Sequence, residues 1–149
     1  MEAIIIKTEE QIKGIRKACK LAADTLRFIE PHVLPGVSTN HINDLIETFT
    51  RDHGAIPAPL GYQGYPKATC ISLNEVICHG IPNDDLLKEG DIVNIDVTPI
   101  LNGYYGDTSK MFAVGEVSDS AKKIMLASQK ALEIGIRQVK PGVRFGMIG

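Results

Sequence analysis

Apolar and polar residues alternate strictly in the middle of the chain. Val93, Ile95 and Val97 interleave with Asn94, Asp96 and Thr98. A period of two belongs to a strand with one face on a core and the other open. Asn102-Gly103 follows, the dipeptide best suited to a two-residue hairpin turn because both residues tolerate positive φ. The stretch Asp91–Val114 is therefore expected to be a β-hairpin. With Asn102 and Gly103 as turn residues, Leu101 pairs with Tyr104, Asp96 lies opposite Ser109, and Asp107 lies opposite Thr98. Pro99 is placed to bulge the strand and shift this register.

The pattern elsewhere is helical. Thr8 opens a capping box with Gln11. Ile12, Ile15, Cys19, Ala22, Leu26 and Ile29 then recur in steps of three and four up to Pro31, one apolar stripe on a helix of about six turns. Cys19 is expected to be buried in that stripe. After Pro35-Gly36-Val37, Ser38 or Thr39 caps a second helix bearing Ile42, Leu45, Ile46 and Phe49, with Gly54 at its end. A third helix over roughly 120–138 is capped by Ser118 or Asp119, and Ile124, Ala127, Ala131 and Ile134 form its packing stripe.

Between helix and hairpin the signals change. Ala55–Lys67, rich in Pro, Gly and Tyr, reads as an ordered irregular loop, either a surface connection or a pocket wall. Ala68–Ser72 and Val76–His79 read as short strands around a Leu73-Asn74-Glu75 turn.

Composition narrows the class. The chain has 149 residues, 44% hydrophobic and 23% charged, which is ordinary for one globular domain with a sizeable core. A net charge of -2 gives no reason to expect nucleic acid or an anionic membrane as partner. The three cysteines, Cys19, Cys70 and Cys78, fit neither a zinc spacing nor a disulfide framework. A reducing, cytoplasmic setting is expected. Ile4-Ile5-Ile6 is too short for a signal peptide or a membrane span.

The candidate chemistry lies in the hairpin. Asp96 and Asp107 project from one face as diagonal neighbours, roughly 7–8 Å apart at the backbone. Two carboxylates aimed at one point repel unless a cation or a proton lies between them. A metal site is one reading; two solvated strand aspartates are the other. His79, at the end of the second short strand, is either a hydrogen-bonded structural residue or a proton carrier and substrate-binding group. Tyr62 and Tyr65 would offer apolar faces to a small substrate side chain. His41 and His53 read as solvated surface histidines, because no further ligand completes a site at helical spacing.

Val33-Leu-Pro-Gly-Val37 follows the first long helix, and Val139-Lys-Pro-Gly-Val143 follows the third. Helix, PGV turn and a following helix start suggest a duplicated unit. The first repeat spans about 8–114, and the second begins at about 118 and runs on to 149. On this comparison the 149 residues are expected to be a partial unit, rather more than half of a larger protein.

Four segments carry a resemblance. Gly61-Tyr-Gln-Gly-Tyr-Pro-Lys67, Cys70-Ile-Ser-Leu-Asn-Glu-Val-Ile-Cys-His-Gly-Ile-Pro82, Gly90-Asp-Ile-Val-Asn-Ile-Asp-Val-Thr98 and Gly106-Asp-Thr-Ser-Lys-Met-Phe112 together resemble the type I methionine aminopeptidases. The resemblance implies the pseudo-symmetric α/β (α+β) "pita-bread" fold, here the first repeat and the start of the second. It implies a metalloprotease, a hydrolase that removes the initiator methionine from nascent polypeptides through attack by a metal-bridging water. Two divalent ions would be the cofactors (Co, Mn, Fe, Zn or Ni). Asp96 would be a metal ligand and Asp107 would bridge both ions. His79 would contact the substrate near its scissile amide. Tyr62, Tyr65 and Cys70 would line the methionine side-chain pocket, with Pro59 where many members have cysteine.

The resemblance also implies a histidine and two glutamates as further ligands, and a second substrate-binding histidine, from motifs that these 149 residues do not contain. The chain alone is therefore expected to be inactive and to self-associate through exposed core. Its expected partners are nascent polypeptide N-termini at the ribosome, without nucleic-acid or membrane binding. Competing readings are a dipeptidase or prolidase of the same fold, and a non-catalytic binding module or truncated product that keeps the fold without the metal chemistry.

Overall fold

A computed structural model describes residues 4–149. They divide into two compact units at Glu116 and Val117.

The first unit is built on helix α1, Glu9–Ile29. The Thr8 hydroxyl accepts from the Gln11 amide at 3.2 Å, and the Gln11 side chain accepts from the Thr8 amide at 2.8 Å. This capping box satisfies two amide donors that the first turn would otherwise leave free. The buried stripe is Ala18, Leu21, Ala22, Thr25, Leu26 and Ile29. Cys19 lies beside that stripe and is exposed, contrary to expectation. The physical reason is rotational: the core face is centred on Ala18 and Ala22, which puts Cys19 round the edge. Helix α2, Thr39–Asp52, is capped by the Ser38 side chain, which accepts from the His41 amide, and buries Ile42 and Ile46. His41 is exposed, and His53 Nδ1 lies 2.8 Å from the Phe49 carbonyl oxygen.

Six strands follow in two three-stranded sheets. They are β1 (Ile56–Pro57), β2 (Cys70–Leu73), β3 (Ile92–Val97), β4 (Pro99–Leu101), β5 (Tyr104–Tyr105) and β6 (Thr108–Ala113). One sheet runs β2-β3-β6 and the other β1-β4-β5, all antiparallel. The Asp91–Val114 hairpin is thus divided between two sheets. Its register is nevertheless the one Asn102-Gly103 dictates: Leu101 pairs with Tyr104, and Asp96 with Ser109. Asn102 and Gly103 both have positive φ, 51° and 81°. Pro99 does not shift the register. It stands just past the break at Thr98, where the outer neighbour changes from β2 to β1. There the Thr98 carbonyl accepts from the Ala58 amide at 2.8 Å.

Val93, Ile95 and Val97 point into the core with Leu26, Ile29, Ile42, Ile46, Ile71, Leu87 and Phe112. Burying each such side chain contributes about 1.5–3 kcal/mol. Helix α1 closes on the hairpin at Gly106, where a Cβ would lie 2.2 Å from the Ala18 carbonyl. Only glycine lets the strand pass so close to helix backbone.

The expected strand Val76–His79 is absent: these residues are irregular. The turn at Asn74 forms, with φ 49°, but the ladder partner of β2 is β3, and the chain returns to β2 at Gly80, whose carbonyl accepts from the Ile71 amide. The inner edge of β2 has its hydrogen-bonding partner in β3, and Ile77 is left 95% exposed.

The second unit, Val117–Gly149, carries α3, Asp119–Gln138, capped by Ser118. None of the helix is buried. Ile124 and Ile134 are exposed, so the expected packing stripe is not buried. After the Pro141-Gly142 turn, a single helical turn forms at Phe145–Met147. Among the described residues no helix is long and apolar enough to cross a membrane.

Candidate metal centre

The break in the hairpin opens a cleft in the first unit. Where β3 leaves β2 and β4 joins β1, the sheets part. A cavity of about 790 Å³ lies there. The 55–67 loop contributes Pro59, Tyr62 and Tyr65 to its wall, and β2 contributes Cys70. His79 lines it from the irregular loop, and Asp96 and Asp107 line it from the two arms of the hairpin. The structure thus places the seven candidate site residues, Pro59, Tyr62, Tyr65, Cys70, His79, Asp96 and Asp107, around one cleft. It adds others that the pattern did not single out. Thr98 shares the open strand face of Asp96, and the period of two would have found it. Ile81 and Tyr105 also line the cleft; they carry no signal of their own.

Asp96 projects from β3 opposite Ser109, and Asp107 immediately precedes β6, so the two are diagonal neighbours across the ladder. Burial raises the Asp96 carboxyl above its ordinary pKa. The nearby Asp107 charge raises it further, while His79 acts the other way. The backbone under Asp96 is held from below: the fully buried Thr69 hydroxyl donates to the Asp96 carbonyl.

The other wall of the cleft is uncharged. Burial pushes the Cys70 thiol up; Tyr65 acts against this, and Asp96 adds to it. Burial also pushes the Tyr65 phenol well above its ordinary range, with Cys70 adding to the shift. Both therefore stay protonated at neutral pH. One end of the cleft is neutral and half apolar, and the other is acidic.

The donor chemistry suits a divalent cation. Two mutually repelling carboxylates in a partly desolvated cleft are relieved by a cation between them. Carboxylate oxygens are the ligands that hard and borderline divalent ions take. Among the described residues, no group of three or more His, Cys, Asp or Glu side chains comes together to hold a metal. Asp96 and Asp107 could thus supply two ligands and not a complete set.

The metallopeptidase family M24 profile matches residues 13–149. The chain belongs to metallopeptidase family M24. A metallopeptidase family uses divalent metal, in keeping with the carboxylate pair. Relatives include a methionine aminopeptidase of Rickettsia prowazekii, 54% identical over 98% of this chain and 56% of that protein. Another, of Haemophilus influenzae, is 55% identical over 99% of this chain and 56% of its own length. The chain thus spans little more than half the length of the curated relatives it matches. Among solved structures, the methionine aminopeptidase of Thermotoga maritima superposes with a TM-score of 0.94 at 36% identity, covering 98% of this chain and 59% of that one. This M24 chain has the α/β pita-bread fold of those proteins.

Proposed function

We propose that this M24 chain provides part of the active centre of a methionine aminopeptidase, an enzyme that removes the initiator methionine from nascent polypeptides. The observation that carries the reading is the shared cleft, in which Asp96 and Asp107 face the same space as His79 and the neutral Tyr65–Cys70 wall. Asp96 and Asp107 would hold divalent metal, with Co, Mn, Fe, Zn or Ni as the candidates. The ions would supply activation of water at neutral pH and polarisation of the scissile carbonyl. Asp96 on β3 and Asp107 just before β6 would offset the ions' charge and fix their place. His79 presents its imidazole to the substrate near its scissile amide. Pro59, Tyr62, Tyr65 and Cys70 receive the methionine side chain on a surface that carries no charge to desolvate, which suits an unbranched thioether. Access for a polypeptide N-terminus comes from the exposure of Tyr62, Tyr105 and Ile81 on the same cleft.

By itself the 149-residue chain would turn peptides over slowly or not at all. Two carboxylates do not saturate a divalent ion, and the described residues bring no third ligand to them. The decisive experiment is therefore a binding one. L-Methionine added to the metal-free, isotope-labelled chain should shift the resonances of Tyr65 and Cys70, whereas L-lysine and L-glutamate should not. Equal responses to all three amino acids would overturn the methionine reading. Release of methionine from a Met-Ala-Ser peptide with Mn²⁺, abolished by Asp107→Asn, would show that the chain also acts alone. Selective methionine binding without turnover would make it a binding module until completed by further ligands.

A further inference from the structure

His79 sits in a segment that no strand holds. Ile77 is 95% exposed, Cys78 is exposed, and His79 itself has φ 55°. Left-handed backbone at a residue with a side chain costs about 1–2 kcal/mol and persists only where the surroundings enforce it.

The enforcement comes from the next residue. The Gly80 amide donates to Ser72 Oγ at 3.1 Å. The Gly80 carbonyl accepts from the Ile71 amide at 2.9 Å and from the Tyr65 hydroxyl at 2.9 Å. Both backbone groups of Gly80 are thus tied to β2 and to the 55–67 loop. A Cβ on Gly80 would lie 2.2 Å from the Ile71 carbonyl oxygen, so the approach requires glycine. Ser72 is buried at 5% exposure. A buried serine hydroxyl needs a partner wherever it sits, and that alone would explain one bond. It does not explain why three bonds converge on the residue that follows a strained, solvent-facing histidine.

We propose that Ser72 and the Tyr65 hydroxyl are positioning residues for His79, clamping Gly80 so that the imidazole enters the cleft. The proposal deepens the aminopeptidase reading and rests on it for the role of His79; the clamp itself does not. Tyr65 then has two tasks, a ring on the pocket wall and a hydroxyl that sets the neighbouring imidazole.

The test uses the metal-free chain and three variants, Ser72→Ala, Ser72→Thr and Tyr65→Phe. In the wild type, the Gly80 amide should exchange with solvent far more slowly than that of Ile77. Ser72→Ala should speed Gly80 exchange about tenfold, the effect of losing one typical hydrogen bond, and move the His79 ring resonances. Ser72→Thr, which keeps the hydroxyl, should restore both. Tyr65→Phe should move the His79 ring and speed exchange at Gly80. Gly80 exchange as fast as that of Ile77 in the wild type overturns the clamp, even if Ser72→Ala does not fold. So do His79 resonances unmoved in Ser72→Ala and in Tyr65→Phe. Where turnover is measurable, Ser72→Ala should lower kcat more than it raises KM. A displaced His79 with unchanged kinetics would uphold the clamp and overturn the substrate-contact role of His79.

Discussion

Cys70 stands directly across the β2–β3 ladder from Asp96. Burial, with the Asp96 charge adding to it, keeps Cys70 a thiol, and burial and the Asp107 charge raise the Asp96 carboxyl. The Asp96 carboxylate, a ligand in the proposed metal site, therefore sits next to a neutral pocket wall, and its charge is poorly accommodated without a cation.

The stability consequence has a definite sign. A carboxyl with a raised folded-state pKa binds its proton more tightly in the folded than in the unfolded chain. Its favourable contribution is complete below the unfolded value, about 3.9, and is lost as pH rises through the folded value. In metal-free solution, Asp96→Asn should gain stability relative to wild type as pH rises from 3 to 7. Urea unfolding across that range checks it. A difference that narrows or reverses toward neutral pH would show that Asp96 is not destabilised by its charge.

Thr69 is the support beneath that carboxylate. Its hydroxyl is fully buried and donates to the Asp96 carbonyl. Thr69→Val keeps the shape and removes the donor. The expected loss is about 1–2 kcal/mol in urea unfolding. The Asp96 backbone resonances should move in the same variant.

How much of this was open to a reading of the sequence depended on range. The Asn102-Gly103 turn fixed the pairing of Asp96 with Ser109, because a two-residue turn leaves no other register. The capping box at Thr8 and the cap at Ser38 placed both helix starts. What failed was non-local. Val76–His79 has strand-like residues, but β2 pairs with β3, twenty or more residues away along the chain, and meets its own continuation at Gly80. The division of the hairpin at Thr98 depends on β1, a two-residue strand too short to be seen as a pattern. The stripe on α3 has the right period, yet the helix buries none of its residues. Periodicity tells which face seeks cover and not whether cover is there.

Gly106 links the helix to the site. It precedes Asp107, and a Cβ there would strike Ala18 backbone, which has no rotamer to yield. Gly106→Ala should destabilise the first unit by about 1–3 kcal/mol, as overpacking does. The Asp107 amide resonance should shift with it. A variant as stable as wild type, with Asp107 unmoved, would place α1 further from the hairpin than described.

The central claim is that Asp96 and Asp107 act together on a divalent ion. Calorimetric titration of Mn²⁺ into the chain and into Asp96→Asn and Asp107→Asn tests it most directly. The wild type should bind, and each substitution should weaken binding by about tenfold or more, since removing one of two ligand charges forfeits at least 1.4 kcal/mol. The same affinity in all three proteins would contradict the account.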